Sequence, residues 1–443
     1  MKEPHRELST GSKGRTAGSP TEKALPGETP AGKRVHIITF GCQMNEADSA
    51  DIASAFRKRG FELAADLGAA DAVVVNTCTV RQKAEDKAVS QIGRLRKWKR
   101  DKPAGKVFIM GCAAQRLGEK YLKAKFPFID GVLGAKEIGR LQGMLDKHFK
   151  TTETAYPQIL KSPLSAYVTV MRGCSLKCSY CVVPSVRGEA VCLEPGAILK
   201  EARAKAAAGA REIVLLGQTV NAYRSGKTTF AGLLKEVCAV KEVARVRFMS
   251  PHPLFFDKAF FELLKNEPKL SRHMHLPVQS GSDHILKLMK RGYTRAGYLD
   301  LLSRMRAAAE DISVSTDFIV GYPGETEEDF SQTLALAREG GFSFAFCFKY
   351  SPRSDKPEMK TQISEQLMEA RLERLLSAVK ENSRDILIKR IGRIEEVLLE
   401  TETSGRTSTN FTCFTDRAGK PGETLKVAVT GTDKNILNGK VIR

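Results

Sequence analysis

The chain has 443 residues, ten cysteines and a formal net charge of +20. That length suffices for two or three domains with a sizeable core, and no apolar run of about 18 residues or more is present, which excludes a membrane-spanning helix. The polar N-terminus carries no export signal, so the cysteines point to a reducing, cytoplasmic setting and to metal-bound thiolates; the charge excess points to a polyanionic partner, with nucleic acid first and a merely solvated basic surface as the alternative.

Residues 1–33 are rich in Gly, Pro, Ser, Thr, Lys and Glu and almost free of large apolar side chains. Such a segment cannot bury a core and is expected to be a disordered tail. From Val35 the pattern changes. Val35–Phe40, Ala72–Thr77 and Val107–Met110 read as buried strands, each followed within two residues by a cysteine: Cys42, Cys78 and Cys112. Helical stretches around 46–60 and 81–100 lie between them, so residues 34–150 read as a parallel α/β domain. In such a sheet functional groups gather at the carboxyl ends of the strands. The three cysteines therefore form an expected three-thiolate cluster site, against the alternative of separate buried thiols. The basic run Arg94–Arg100 around Trp98, the only tryptophan, reads either as a phosphate contact or as a solvated helix end.

Residues 151–165 read as a linker, and a second domain, 166–384, opens with the strand Tyr167–Met171. Directly after it come Gly173-Cys174-Ser175-Leu176-Lys177-Cys178-Ser179-Tyr180-Cys181. Three thiolates at CxxxCxxC spacing can hold three corners of a cubic iron–sulfur cluster and leave the fourth iron open. A zinc knuckle would need a fourth ligand, and no further Cys or His stands close by in sequence. The motif resembles that of the radical S-adenosylmethionine (SAM) enzymes. Further strands are expected at Glu212–Leu216, Val246–Met249, His273–Val278, Ser313–Val320 and Phe344–Tyr350, with helical patterns between most of them. Six strand–helix units predict a partial (β/α)6 barrel with its chemistry at the C-terminal face. Polar or Gly-rich strand ends there supply candidate SAM contacts: Gly217, Gln218, Asn221, His252, Gln279 and Asp317, with Tyr180 from the cysteine loop.

Glu365–Arg390 reads as a long amphipathic helix with Met368, Leu372, Leu375, Leu376 and Val379 on one stripe, closing the open barrel. Beyond it, short alternating strands at Ile394–Glu400, Phe411–Phe414, Leu425–Val429 and Gly439–Ile442 predict a small β-barrel over 385–443, suited on a basic chain to RNA.

Taken together, Thr39–Asn45, Asn76–Arg81, Gly111–Arg116, Leu216–Tyr223, His275–Ser282 and Met289–Thr294 give residues 34–443 a specific resemblance to the methylthiotransferases, and among them to the MiaB type that modifies tRNA. The resemblance implies an N-terminal methylthiotransferase domain, a radical-SAM barrel and a C-terminal TRAM domain. It implies two [4Fe-4S] clusters, one on Cys174, Cys178 and Cys181 that cleaves SAM, the other an auxiliary cluster on Cys42, Cys78 and Cys112 that carries sulfur. It also implies methylthiolation at carbon 2 of isopentenyladenosine at tRNA position 37, by a monomer served by an electron-donor protein. An unactivated C–H bond is beyond acid–base chemistry, which is why a radical cofactor is needed, and a closed barrel protects the radical. One stretch departs from the family pattern. After Arg187-Gly188, the expected acid, hydroxyl, arginine and proline are Ala190, Cys192, Leu193 and Glu194. The alternatives that this leaves open are another RNA or protein substrate, or a catalytically impaired iron–sulfur RNA-binding paralogue.

Overall fold

The computed structural model describes residues 32–150, 163–352 and 362–442. The expected tail therefore falls outside the described residues up to position 31, as does most of the expected linker. The chain divides into two compact units with the boundary between Gln158 and Ile159.

The first unit is built on a five-stranded, all-parallel sheet in the order Glu62–Leu63, Arg34–Thr39, Ala72–Thr77, Lys106–Gly111, Gly131–Gly134. Every residue of Ala72–Thr77 is buried, because helices cover both faces. Alternation along the strand sends Ala72 and Val74 to a core with Ile52 and Phe56 of helix Gln43–Arg57. Val73 and Val75 go to the other face, against Ile92, Leu95 and Trp98 of helix Gln82–Asp101. Trp98 is thus a core residue, and Lys99 beside it pairs with Asp130 at 3.1 Å. This part of the basic run is structural. The edge strand Gly131–Gly134 carries no local strand signal, since two of its four residues are glycines. The structure requires one of them there: a Cβ on Gly131 would stand 2.9 Å from the Phe108 ring.

The second unit holds two barrels. Ser165–Thr169, Glu212–Leu216 and Arg245–Phe248 form one parallel run; His273–His275, Ser313–Val320 and Phe344–Lys349 form another. A parallel bridge between Val246 and Leu270 joins the two runs. Six strands in sequence order, with helices such as Pro195–Ala207, Phe230–Cys238 and Arg295–Ala308 outside, make the partial barrel the periodicity predicts. Its interior remains accessible: Phe344 and Phe346, alternate residues of the last strand, are 41% and 45% exposed. Two expected strands are cut short. The first ends at Thr169, and Met171–Arg172 turns away to pair antiparallel with Val191–Cys192. The fourth is only His273–His275, because Pro277 follows and lacks an N–H for the ladder.

Helix Glu365–Ile388 packs Leu375, Ala378 and Val379 into the main core. Leu376, expected on that stripe, is 45% exposed, since it sits about 100° round the helix from Leu375. The stripe position that sequence reading left out belongs to Arg371, buried and paired with Glu325 at 2.8 Å. Beyond the helix, Ile394–Leu399, Ser404–Thr407, Thr412–Thr415, Thr424–Asp433 and Ile436–Val441 close into a five-stranded barrel. Ser404–Thr407 carries no hydrophobic pattern, and its pairing with both neighbours makes it a strand. Leu387, from the helix, lies in the small barrel's core with Val397, Cys413, Val427 and Leu437. The small barrel meets the amino ends of the central strands through Arg272 N–H to Ser408 O (2.9 Å), Ser271 Oγ to Ser408 O (2.9 Å) and Arg245 to Arg406 O (3.1 Å). It therefore occupies the end opposite the cysteine loop.

Candidate functional site

In the second unit the CxxxCxxC loop leaves the first barrel strand at its carboxyl end. Gly173 starts it at φ 78°, and a Cβ there would collide with the backbone of Gly188 and Glu189. The backbone then locks: Cys174 N–H donates to Gly188 O (3.0 Å), Cys181 N–H to Cys178 O (3.1 Å) and Ser179 N–H to Met289 O (3.2 Å). Cys174 and Cys178 are buried and Cys181 is partly so. Burial pushes the Cys181 thiol up to about 11; the Val183 N–H opposes this, and the nearby Cys178 and Cys174 sulfurs add to it. Three soft donors on one loop, mutually repelling as thiolates in a low-dielectric site, fit an iron–sulfur cluster chemically, because metal takes up the charge that burial disfavours. The Cys174 sulfur lies 3.1 Å from Thr219 Oγ1, and an Arg291 N–H approaches Cys178 Sγ at 3.5 Å.

The expected SAM contacts divide by what already engages them. Gln218 Oε1 and His252 Nε2 are buried without a hydrogen-bond partner among the described residues. The Leu254 N–H points at His252 Nδ1 (3.4 Å), which makes Nδ1 the acceptor and Nε2 the protonated nitrogen. One unfilled acceptor and one unfilled donor thus remain for a ligand. Asn221 is fully used: its Nδ2 donates to His252 O (2.9 Å) and its Oδ1 accepts from His252 N–H (2.8 Å), so it fixes the His252 loop. Gly217 is held against Met171, whose Cγ a Cβ would meet at 2.5 Å. Gln279, at φ 78°, is stitched by its backbone to Asp317 O (2.8 Å) and Ile319 N–H (2.9 Å). Asp317 stands within strand Ser313–Val320 rather than at its end, and faces His275 at 3.5 Å. The Tyr180 hydroxyl accepts from Arg291 at 3.3 Å, and burial raises its pKa well above the ordinary phenol value.

Two residues of this site had no role in the sequence reading. Thr219 sits inside the Leu216–Tyr223 motif. Arg291 sits in the quoted Met289–Thr294 run, where nothing local marks one arginine as buried.

Among the departing residues at 190–194, Ala190, Cys192 and Leu193 pack against the central core, and Val191 is 63% exposed. Cys192 is thus a packing residue.

In the first unit, the strands that lead to Cys42, Cys78 and Cys112 are immediate neighbours in the sheet, so the three residues reach the same edge. Cys42 caps helix Gln43–Arg57 and is exposed; Cys78 and Cys112 are buried, Cys112 opening helix Cys112–Leu117. Gly41, at φ 125°, lies where a Cβ would stand 2.7 Å from that of Cys78. Asn45 ties the loops together, donating to Asn76 Oδ1 (3.2 Å) and Thr77 O (3.0 Å) and facing the Cys42 thiol at 3.5 Å. Among the described residues, no three His, Cys, Asp or Glu side chains converge on one metal-holding position in either unit.

Two family models match the chain: Uncharacterized protein family UPF0004 over residues 34–134 and the Radical SAM superfamily over residues 168–337. Among solved structures, a radical S-adenosylmethionine methyltransferase from Kitasatospora setae is 14% identical, with a TM-score of 0.52 over 72% of this chain and 75% of that one, a likeness of fold. A tRNA-2-methylthio-N(6)-dimethylallyladenosine synthase from Methylococcus capsulatus is 39% identical over 93% of this chain and 96% of its own. One of the same name from Endomicrobium trichonymphae is 38% identical over 92% and 99%. At that identity over almost the whole of both chains, the chain belongs to the tRNA-2-methylthio-N(6)-dimethylallyladenosine synthase family, whose central fold here is the radical-SAM barrel.

Proposed function

We propose that this chain is a tRNA methylthiotransferase that inserts sulfur and adds a methyl group at carbon 2 of isopentenyladenosine at position 37, beside the anticodon. One observation carries the reading: relatives named for that reaction align with almost the entire chain, cysteine domain and barrels together. The enzyme uses SAM and a [4Fe-4S] cluster. Cys174, Cys178 and Cys181 would hold that cluster, which when bound supplies the electron that cleaves SAM. Cys42, Cys78 and Cys112 would hold a second, sulfur-carrying cluster; their shared strand edge and soft donor set support this. The remaining site residues bind and orient. Gln218 Oε1 would accept from SAM and His252 Nε2–H would donate to it, Asn221 holds the His252 loop in place, and Tyr180, Gly217 and Gln279 would line the same carboxyl-end region, with Asp317 deeper in its strand facing His275. The small barrel holds tRNA, an electron-donor protein supplies the reductant, and the enzyme acts as a cytoplasmic monomer. Among the described residues no helix is long and apolar enough to cross a membrane.

The test is the nucleoside mass profile of tRNA from a bacterial host that lacks its own methylthiotransferase, with the chain, without it and with Cys174→Ala. The methylthio form of isopentenyladenosine should appear only with the unaltered chain. Persistence of the precursor beside intact SAM cleavage would move the substrate elsewhere and give weight to the altered 190–194 stretch. Loss of both would favour the impaired paralogue.

A further inference from the structure

Arg291 is a buried cation without a carboxylate. The residue is 6% exposed, on a loop whose neighbours are Lys290, at φ 57°, and Gly292, at φ 76°. Its guanidinium makes four directed contacts. Nε donates to Tyr293 Oη (2.9 Å), one terminal nitrogen to Pro277 O (3.0 Å), and the other to Tyr180 Oη (3.3 Å) and Cys178 Sγ (3.5 Å). The group also lies over the Tyr293 ring, 5.3 Å from its centroid. Three other buried arginines of this unit have a carboxylate beside them. Arg371 pairs with Glu325 at 2.8 Å, Arg390 with Glu395 at 2.7 Å, and Arg245 has Glu212 at 3.7 Å. Among the described residues no Asp or Glu forms an ion pair with Arg291.

A charge removed from water without a counter-charge costs several kcal/mol, so such groups are retained where an anion completes them. The one acidic group that touches Arg291 other than two phenols is the Cys178 thiol. The guanidinium is also locked on three other sides, which leaves it little freedom to turn to a different partner. We propose that Arg291 is a positioning residue for the [4Fe-4S] cluster on Cys174, Cys178 and Cys181, a fixed cation that supplies the cluster's counter-charge and favours its reduced form. The inference rests on those cysteines being the ligands. One-electron reduction adds one negative charge to the cluster and breaks no bond; the electron comes from an external reductant. A cation held in a low-dielectric site beside a ligand sulfur stabilises the more negative state, and charge and hydrogen bonds near the sulfurs are among the factors that set such potentials. Arg rather than Lys suits the task, because its planar fork can meet a thiolate, a phenol and a carbonyl at once while it stays charged.

The experiment is a dithionite-poised redox titration of the full cluster-loaded chain, followed by electron paramagnetic resonance. The signal to follow is the one that disappears in Cys174→Ala. Arg291→Gln keeps much of the shape and removes the charge. Its midpoint should fall so that reduction is at least tenfold less favourable, 59 mV for a one-electron couple. Arg291→Lys should keep the midpoint close to that of the unaltered chain. An unmoved midpoint in Arg291→Gln overturns the inference. If Arg291→Gln holds no cluster, Arg291→Lys decides: a loaded cluster at the original midpoint supports a charge role, and equal failure of both variants overturns it in favour of packing. If Cys174→Ala removes no signal at all, the assignment of the ligands fails first, which separates that outcome from a failure of Arg291 alone.

Discussion

His252 shows how much a single side chain can be held to. It is 4% exposed, backed by Asn221 and set against Tyr293 at 5.6 Å between rings. Burial, with the Arg291 charge second, lowers its pKa to about 3. The imidazole is therefore neutral at any working pH, which is what a buried Nε2–H donor requires. A histidine that titrates lower when folded contributes its full stability above about pH 6.5 and loses it as pH falls toward 3, because the unfolded chain takes up the proton first. At pH 5 the loss amounts to about 2 kcal/mol. A comparison of denaturant unfolding at pH 7.5 and pH 5 should show the difference shrink by about that amount in His252→Gln. His273, whose pKa burial and then Arg247 hold well below the ordinary value, adds a component that this variant leaves in place. An unchanged difference would mean that His252 already titrates normally in the folded chain.

At the scale of elements, the loop after strand Ser313–Val320 and the helix Glu365–Ile388 are joined by one ion pair. Glu325 Oε2 accepts from both Gly321 N–H (2.8 Å) and Arg371 (2.8 Å), and its side chain is fully buried. This links the helix to the carboxyl end of the barrel, where the site lies. The pair is a poor source of net stability but a costly one to break, since removal of one partner strands the other's charge. Glu325→Gln should cost about 3 kcal/mol in chemical denaturation, and joint replacement of Glu325 and Arg371 by Gln and Met should recover part of it. A Glu325→Gln loss below about 0.5 kcal/mol would show that the nearby Glu327, 3.2 Å from Arg371, carries the pairing instead.

For the whole molecule, the excess of twenty positive charges is the feature that bears on tRNA. Lys426 and Lys440 stand exposed on neighbouring antiparallel strands of the small barrel, and Phe414 on the same barrel is 43% exposed. Phosphate contacts appear as a fall of the binding constant with salt, and each contact removed lowers the slope by about one. Lys426→Glu with Lys440→Glu should weaken tRNA binding at 0.15 M salt and reduce the slope by about one to two, read from filter binding over about 50–200 mM salt. Equal slopes would take RNA binding away from this face of the barrel. A test by truncation must respect Leu387, which belongs to the small barrel's core although it lies on the preceding helix.

The sequence by itself determined the fold class and most of the elements, and it singled out the six cysteines as candidate cluster ligands. Those follow from local signals: runs such as Ala72–Thr77, the three-residue and two-residue gaps of the cysteine loop, and the helical period of Glu365–Ile388. Family membership was also legible, because it is carried by short contiguous motifs. Strands without a hydrophobic pattern, Gly131–Gly134 and Ser404–Thr407, were invisible, since partners across the sheet and not their own residues make them strands. The tertiary structure alone decided which polar side chains are spent and which are left over. Asn221 is consumed by the His252 backbone, whereas His252 Nε2 and Gln218 Oε1 stay unfilled. It also decided that Arg291, 113 residues from Cys178 in the chain, lies against its sulfur. Burial and long-range contact set the charge and reactivity of such groups, and neither is a property of local sequence.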